Sequence, residues 1–219
     1  MADFPSAPIS PQQYFESWFP DAFAAAELPA DAAEVEVRLG VKLEGEGGGE
    51  WLFHVNRGVL AVEPGSRNAA AFSVVQSVDD WRGALWEERG GAIGKQAAAF
   101  FKPGSQPAAS QPGQMGGAPS AGALAQMEKL DGVIRMVVAG GDGGDWKVDF
   151  KLGSGELPAE PTTTVTLSAE DAVAMDRGEL DPMTAFMSGR LQVTGDMTLM
   201  MQMQAISMQQ AAQSSGGDS

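Results

Sequence analysis

The side chains that ordinarily make and break bonds are sparse in this chain. There is one histidine, His54, and no cysteine. His54 sits between Phe53 and Val55, so in a strand it projects from the face opposite the aromatic one. No serine or cysteine nucleophile stands in a recognisable setting for it to activate. Carboxylates are plentiful, but Asp79, Asp80, Glu170, Asp171 and Asp181 fall at turns or in the first turns of helices, where acids stabilise exposed N–H groups. None is paired with another in an apolar stretch that would push two carboxyl pKa values apart. The glycine run Gly140–Asp145 covers part of a calcium-binding nonapeptide, yet Lys147 stands where a large apolar residue belongs, and the run occurs once. As a phosphate cradle it lacks the Lys-Ser/Thr pair and the helix that should follow. A hairpin turn accounts for it. No catalytic residue, metal or cofactor is expected.

The chemistry that remains is apolar. Asp196 can cap a helix over residues 197–208, and Met197, Leu199, Met200, Met201, Met203, Ile206 and Met208 follow it. Leu199, Met203 and Ile206 make one stripe at i, i+4 and i+7, and the other methionines cover much of the remaining surface. A helix of this kind is expected to be buried on nearly every side. A plain core helix would satisfy the pattern. Methionine adds an unbranched, polarizable thioether that repacks easily, which suits a ligand of variable shape such as an acyl chain.

The elements that would position this helix recur in two blocks. In the first, residues 35–43 alternate and run into Gly45–Trp51; in the second, Val133–Val138 runs into Gly140–Trp146. Each is a strand, a glycine-rich turn and a tryptophan opening the next strand. Trp51/Phe53/Val55 and Trp146/Val148/Phe150 then alternate, the mark of half-buried antiparallel strands. Third strands near Ala71–Gln76 and Thr163–Leu167 end in Ser77-Val-Asp-Asp80 and Ser168-Ala-Glu-Asp171, both helix-capping sequences. Helices follow at Trp81–Glu87 and Ala172–Arg177. An internal duplication is the simplest reading. The second block continues through Met183–Met187 and a strand at Arg190–Thr194. The first has only an alanine-rich stretch, Ile93–Phe101, in that place, and begins with an aromatic helix, Tyr14–Ala26, expected to break at Pro20.

Composition sets the outer bounds. The chain has 219 residues, 43% of them hydrophobic, with a formal net charge of −15. A field of that sign opposes nucleic acid and anionic membrane surfaces, and no Lys/Arg cluster breaks it. Nucleic-acid binding is the class excluded first. No window approaches the roughly 18 apolar residues of a membrane span, and the first residues do not read as a secretory signal. A cytoplasmic protein is expected. Residues 102–123, rich in Pro, Gly, Ser and Gln, read as a flexible linker between blocks at 1–101 and 124–210, and residues 211–219 as a disordered tail.

Taken together, the second block resembles the sterol carrier protein type-two family over residues 124–210. The resemblance is carried by Gly132-Val-Ile-Arg-Met136, Gly140–Asp145, Trp146-Lys-Val-Asp-Phe-Lys151, Thr163–Leu167, Ser168–Met175, Gly178–Pro182, Ala185-Phe186, Gly189-Arg-Leu191 and Gly195-Asp196, in that order. Arg190 replaces the family's usual Lys, keeping the charge, and methionine crowds the last helix. The first block looks like a divergent, truncated copy, through Trp51, Asn56–Leu60 and Ser77–Trp81.

The resemblance implies an α+β fold: a largely antiparallel five-stranded sheet covered on one face by helices, with a second truncated copy of the same motif. Between sheet and helices it implies an apolar tunnel for a fatty acid, acyl-CoA, phospholipid or sterol, which the protein would bind and transfer without enzymatic chemistry. Met183, Phe186 and Met187 are expected at the tunnel entrance, and Leu199, Met200, Met203 and Ile206 along its wall. A transient membrane contact is compatible with this; a protein partner is not specified. The alternative is a protein-interaction or dimerisation module, in which the duplicated fold has a filled core.

Overall fold

The computed structural model describes residues 3–26, 36–103, 126–203 and 205–206. Its chain begins with α1 (Pro11–Gln13), a π-helical stretch (Tyr14–Trp18) and α2 (Phe19–Ala25). Pro20 does not break this run. The wider π turn, in which the Phe19 N–H donates to the Tyr14 carbonyl, precedes the proline and lets the helix continue through it. The inward residues Tyr14 and Phe15 thereby keep one face with Phe19.

Strands β1 (Glu36–Glu44), β2 (Gly49–Asn56) and β3 (Val59–Pro64) form a meander, and β4 (Phe72–Ser77) then pairs parallel with β1. Strand β3 has no counterpart among the strands expected from the sequence. Its hairpin turns on Arg57 and Gly58 at φ 50° and 76°. Two left-handed residues are what a two-residue hairpin requires, and an arginine in the first place hides the signal that Asn or Asp would give. After α3 (Val78–Trp86) and α4 (Gly91–Ala99), the second half repeats a similar order. Strands β5 (Gly132–Gly141) and β6 (Gly144–Leu152) form a hairpin, and β7 (Thr163–Ser168) pairs parallel with β5. Helices α5 (Ala169–Asp176) and α6 (Pro182–Met187) follow, then β8 (Leu191–Gly195) antiparallel to β7, and a last helix, α7, at 197–203 and 205–206.

The fold is α+β, but the expected five-stranded, largely antiparallel sheet is not what forms. The strands make one eight-stranded mixed sheet in the order β3-β2-β1-β4-β6-β5-β7-β8. Each half contributes four strands, and the halves join where β4 pairs antiparallel with β6, from Phe72↔Leu152 to Val75↔Asp149. The reason is edge chemistry. Both β4 and β6 would otherwise present a row of unpaired backbone groups beside apolar side chains, and each satisfies the other. The linker reading for 102–123 falls mostly outside the described residues, and the tail at 211–219 wholly so.

One side of this sheet is apolar along its whole width. Val41, Leu43, Trp51, Phe53, Phe72, Val74, Trp146, Val148, Ile134, Met136, Val138, Val165 and Leu167 belong to a single buried cluster with residues of the helices. Over the first half that layer is filled by rings: Phe15 lies 4.8 Å from Trp51, 5.6 Å from Trp81 and 5.8 Å from Phe101 between centroids. At the junction Phe72 stacks on Phe150 at 5.8 Å and 21°. The opposite side carries charged pairs, including Lys42–Glu50 at 3.6 Å and Arg135–Asp149 at 2.7 Å.

Candidate functional site

Helices α5 and α7 cover the second half of the sheet, and the chain positions both by capping. Ser168 Oγ accepts from the Asp171 N–H at 3.1 Å and Ser77 Oγ from the Asp80 N–H at 2.9 Å, so both serine caps read from the sequence form. Asp196 Oδ1 accepts from the Thr198 N–H at 2.7 Å and opens α7. The same residue is fastened to the sheet: its N–H donates to the Thr162 carbonyl at 2.9 Å, and its carbonyl accepts from Thr163 Oγ1 at 2.6 Å. The hydrogen bonds from Thr198, side chain and backbone, hold the Asp196 carboxyl below the usual carboxylate range.

Pinned there, α7 lays Leu199, Met203 and Ile206 onto the sheet, at 4%, 8% and 6% exposure. Leu199 reaches the start of β5 so closely that a Cβ on Gly132 would stand 2.8 Å from its Cδ2. Met200 is half-buried beside this stripe. Leu199, Met203 and Ile206 belong to one buried cluster with Ile134, Met136, Val138, Val148, Val165 and Leu167 of the sheet, which form the apolar floor of this half. The helix is not buried all round, because Met197 and Met201 point outward. Of the expected wall, Leu199, Met203 and Ile206 come together, with Met200 at the margin.

The expected entrance residues stand on α6, apart from this stripe. Met183, Phe186 and Met187 are 62%, 45% and 79% exposed, on the outer face of α6, while Ala185 on its inner face is fully buried. The cap is Asp181, which accepts from the Thr184 N–H at 2.9 Å and from the Thr184 hydroxyl. Both bonds hold its pKa low. The α6 C-terminus is tied back by the Arg190 N–H, which donates to the Ala185 carbonyl at 2.9 Å. The Arg190 side chain pairs with buried Asp171 on α5. Its cationic head is thereby committed to holding the α6–β8 connection.

Trp146, Asp149 and Lys151 of the 146–151 motif use their polar groups to hold the frame. Trp146 Nε1 donates to the Asp80 carbonyl at 2.8 Å, a buried bond between the two halves. Asp149 accepts a two-pronged bond from Arg135 at 2.8 and 2.7 Å. Lys151 is 1% exposed, and its ammonium donates to Asp131 Oδ1 and the Leu152 carbonyl at 2.7 Å and to the Gly153 and Ser154 carbonyls at 3.3 Å. Trp146 and Asp149 find their partners on α3 and β5, whereas three of the four Lys151 acceptors are the carbonyls of the next three residues, a fold-back of the side chain that its type and spacing do not record.

The remaining candidates lie in strand and turn settings. His54 Nε2 lies 3.3 Å from Glu36 Oε1 across the β1–β2 ladder. Gly140–Asp145 is the β5–β6 turn, and Asp145 Oδ1 accepts from the Gly140 N–H at 3.1 Å. Among the described residues, no three His, Asp or Glu side chains are grouped to hold a metal ion, and no helix is long and apolar enough to cross a membrane.

The decisive comparison concerns the segment that builds this floor and roof. The SCP-2 sterol transfer family matches residues 114–207. Those residues carry an SCP-2 domain. The match starts ten residues upstream of the boundary at 124 expected from composition. The chain is 30% identical over 162 residues to hydroxysteroid dehydrogenase-like protein 2 of Xenopus tropicalis, covering 68% of this chain and 36% of that protein. It is 34% identical over 90 residues to sterol carrier protein 2 of Homo sapiens, covering 38% of this chain and 16% of that protein. The chain therefore spans little more than a third of the one relative's length and about a sixth of the other's. Sterol carrier protein domain 2 of Helicoverpa armigera, in solution, shares 28% identity at a TM-score of 0.29, with 40% of this chain and 74% of that one covered.

Proposed function

We propose that the SCP-2 domain of this chain binds a fatty acyl lipid or sterol between the second half of the sheet and α7, and releases it by movement of that helix. The chain itself carries out no covalent step in this reading. The observation that supports it is α7, a helix seated by one apolar stripe and pinned to the sheet at its N-terminus. Separating the stripe from the floor exposes two complementary apolar surfaces, and an acyl chain laid between them gains about 0.8 kcal/mol per CH2 buried. The methionines can repack around such a chain at little cost. Leu199, Met200, Met203 and Ile206 form the wall in this account, and Met183, Phe186 and Met187 flank the way in. A relative named sterol carrier protein 2 agrees with the class of ligand. The cysteine-free composition is compatible with a cytoplasmic location.

The first half reads best as a scaffold and as a divergent relative of the second. Its layer between sheet and helices is occupied by Tyr14, Phe15, Phe19, Trp51, Phe53, Trp81 and Phe101. That filled core favours a supporting or partner-binding role there over a second lipid site.

The test is displacement of a fluorescent fatty acid. The wild type should bind at micromolar concentration, and the double substitution Met203→Trp with Ile206→Trp, which fills the space under α7, should weaken binding at least about tenfold. Equal binding by the folded double variant would refute the assigned site. No binding by the wild type would refute the carrier reading.

A further inference from the structure

We infer that the outer face of α6 is a membrane-docking surface, and that its partner is a bilayer of neutral headgroups. The choice of a bilayer as occupant rests on the carrier reading above, since a lipid carrier must meet the membrane that supplies its cargo.

The surface follows from the shape of a short, firmly held helix. In Pro182–Met187 the side chains of Met183, Phe186 and Met187 fall at i, i+3 and i+4, so they share one side, opposite the buried Ala185. They are large, apolar and more exposed than a soluble surface needs. The helix beneath them is capped by Asp181 at one end and tied through Arg190 at the other. The three side chains are thus presented on a fixed base. Unbranched methionines flanking a phenylalanine can insert to the depth of the headgroup–acyl boundary without unfolding anything.

The surrounding charge selects the kind of bilayer. Beside the patch stand exposed Asp176, Arg177, Glu179 and Asp181. Arg190 is committed to Asp171 and Asp176 to Lys95, at 2.7 Å for the latter pair. That leaves Arg177 to set against the carboxylates of Glu179 and Asp181, within a chain of net charge −15. An anionic surface is repelled by this setting, whereas zwitterionic headgroups are not. A docking surface for acidic lipids would carry an excess of lysine and arginine around the apolar residues, whereas here Arg177 and Arg190 are matched by Asp171, Glu179 and Asp181.

The experiment is flotation of the full chain with vesicles of phosphatidylcholine alone and with part of it replaced by phosphatidylglycerol. The wild type should float with the neutral vesicles and bind less well as the anionic lipid is added at low salt. Met183→Ser with Met187→Ser should reduce binding by roughly tenfold or more. Val59→Ser, an equally exposed apolar residue on β3 at the far edge of the sheet, should leave it unchanged. Circular dichroism of each variant reports whether it is folded, and Met183→Leu with Met187→Leu, which keeps the apolar surface, should retain binding. Equal flotation of the folded serine variant, or stronger binding to the anionic vesicles, overturns the inference. So does a protein that ignores vesicles but forms a dimer dispersed by the serine substitutions, which would make the patch a contact between copies. Native mass spectra of the same preparation read the cargo separately. Protein that floats but carries no lipid sustains the docking surface while the carrier reading fails. Protein that carries lipid but does not float overturns the docking surface alone.

Discussion

Replacing Lys151 by methionine should destabilise the fold far more than neutralising its carboxylate partner. The ammonium is 1% exposed and donates to four oxygens, three of them carbonyls of Leu152, Gly153 and Ser154. Methionine keeps the length of the side chain and removes every donor. Leu152 and Gly153 are buried while Ser154 is exposed, so two carbonyls lose a buried donor at about 1–3 kcal/mol each. Relief from desolvating the cation returns part of that, so a net loss of roughly 2–4 kcal/mol is expected. Asp131, the fourth acceptor, is 90% exposed at its side chain. Its charge is well screened, and Asp131→Asn should cost about 1 kcal/mol or less. Equilibrium urea unfolding followed by tryptophan fluorescence measures both. The reasoning is refuted if the two substitutions differ by less than about 1 kcal/mol, or if Asp131→Asn is the costlier.

Three further outcomes follow from the contacts described. Trp146→Phe leaves the buried Asp80 carbonyl without its donor and should cost about 1–3 kcal/mol in the same unfolding assay. Burial raises the Asp80 pKa above the usual carboxylate value, with the Ser77 hydroxyl, the Lys147 backbone and Arg89 opposing that shift. A raised acid pKa favours the protonated folded state, so its contribution is present at low pH and lost as pH rises through the folded value. Asp80→Asn should therefore gain stability relative to wild type on going from acid to neutral pH; a variant that loses stability relative to wild type over that range would contradict the assignment. Arg190→Ala should loosen the α6–β8 connection, read as faster hydrogen exchange across 182–191, whereas Arg190→Lys should restore most of the protection.

Much of this architecture is legible in the residues because it is local. The alternation in β5 and β6, the glycine turn between them, the two serine caps and the Asp196 cap each depend on neighbours a few positions away. The pairing of β4 with β6 does not. It depends on which backbone edge each half leaves open, and no side-chain period records that. The direction in which α7 faces was hidden for another reason: apolar residues on every side give no contrast, and Gly132, opposite Leu199, decides the seat from a distant strand. The exposure of Met183, Phe186 and Met187 was hidden likewise. Their pattern shows a shared helix face, and only the burial of Ala185 tells which way it turns. Arg135 and Lys151 look like surface charges in the sequence, because the Asp149 partner of one lies across a strand pair and the other folds back onto carbonyls of its own chain that no side-chain pattern marks.

The measurement closest to the central claim compares native with denaturing mass spectra of the purified full chain. A carrier holds a stoichiometric acyl or sterol species in the native spectrum that separates on denaturation, and the Met203→Trp, Ile206→Trp protein lacks it. A wild-type native mass equal to that of the bare polypeptide, together with no uptake of added fatty acid, would contradict the lipid site under α7.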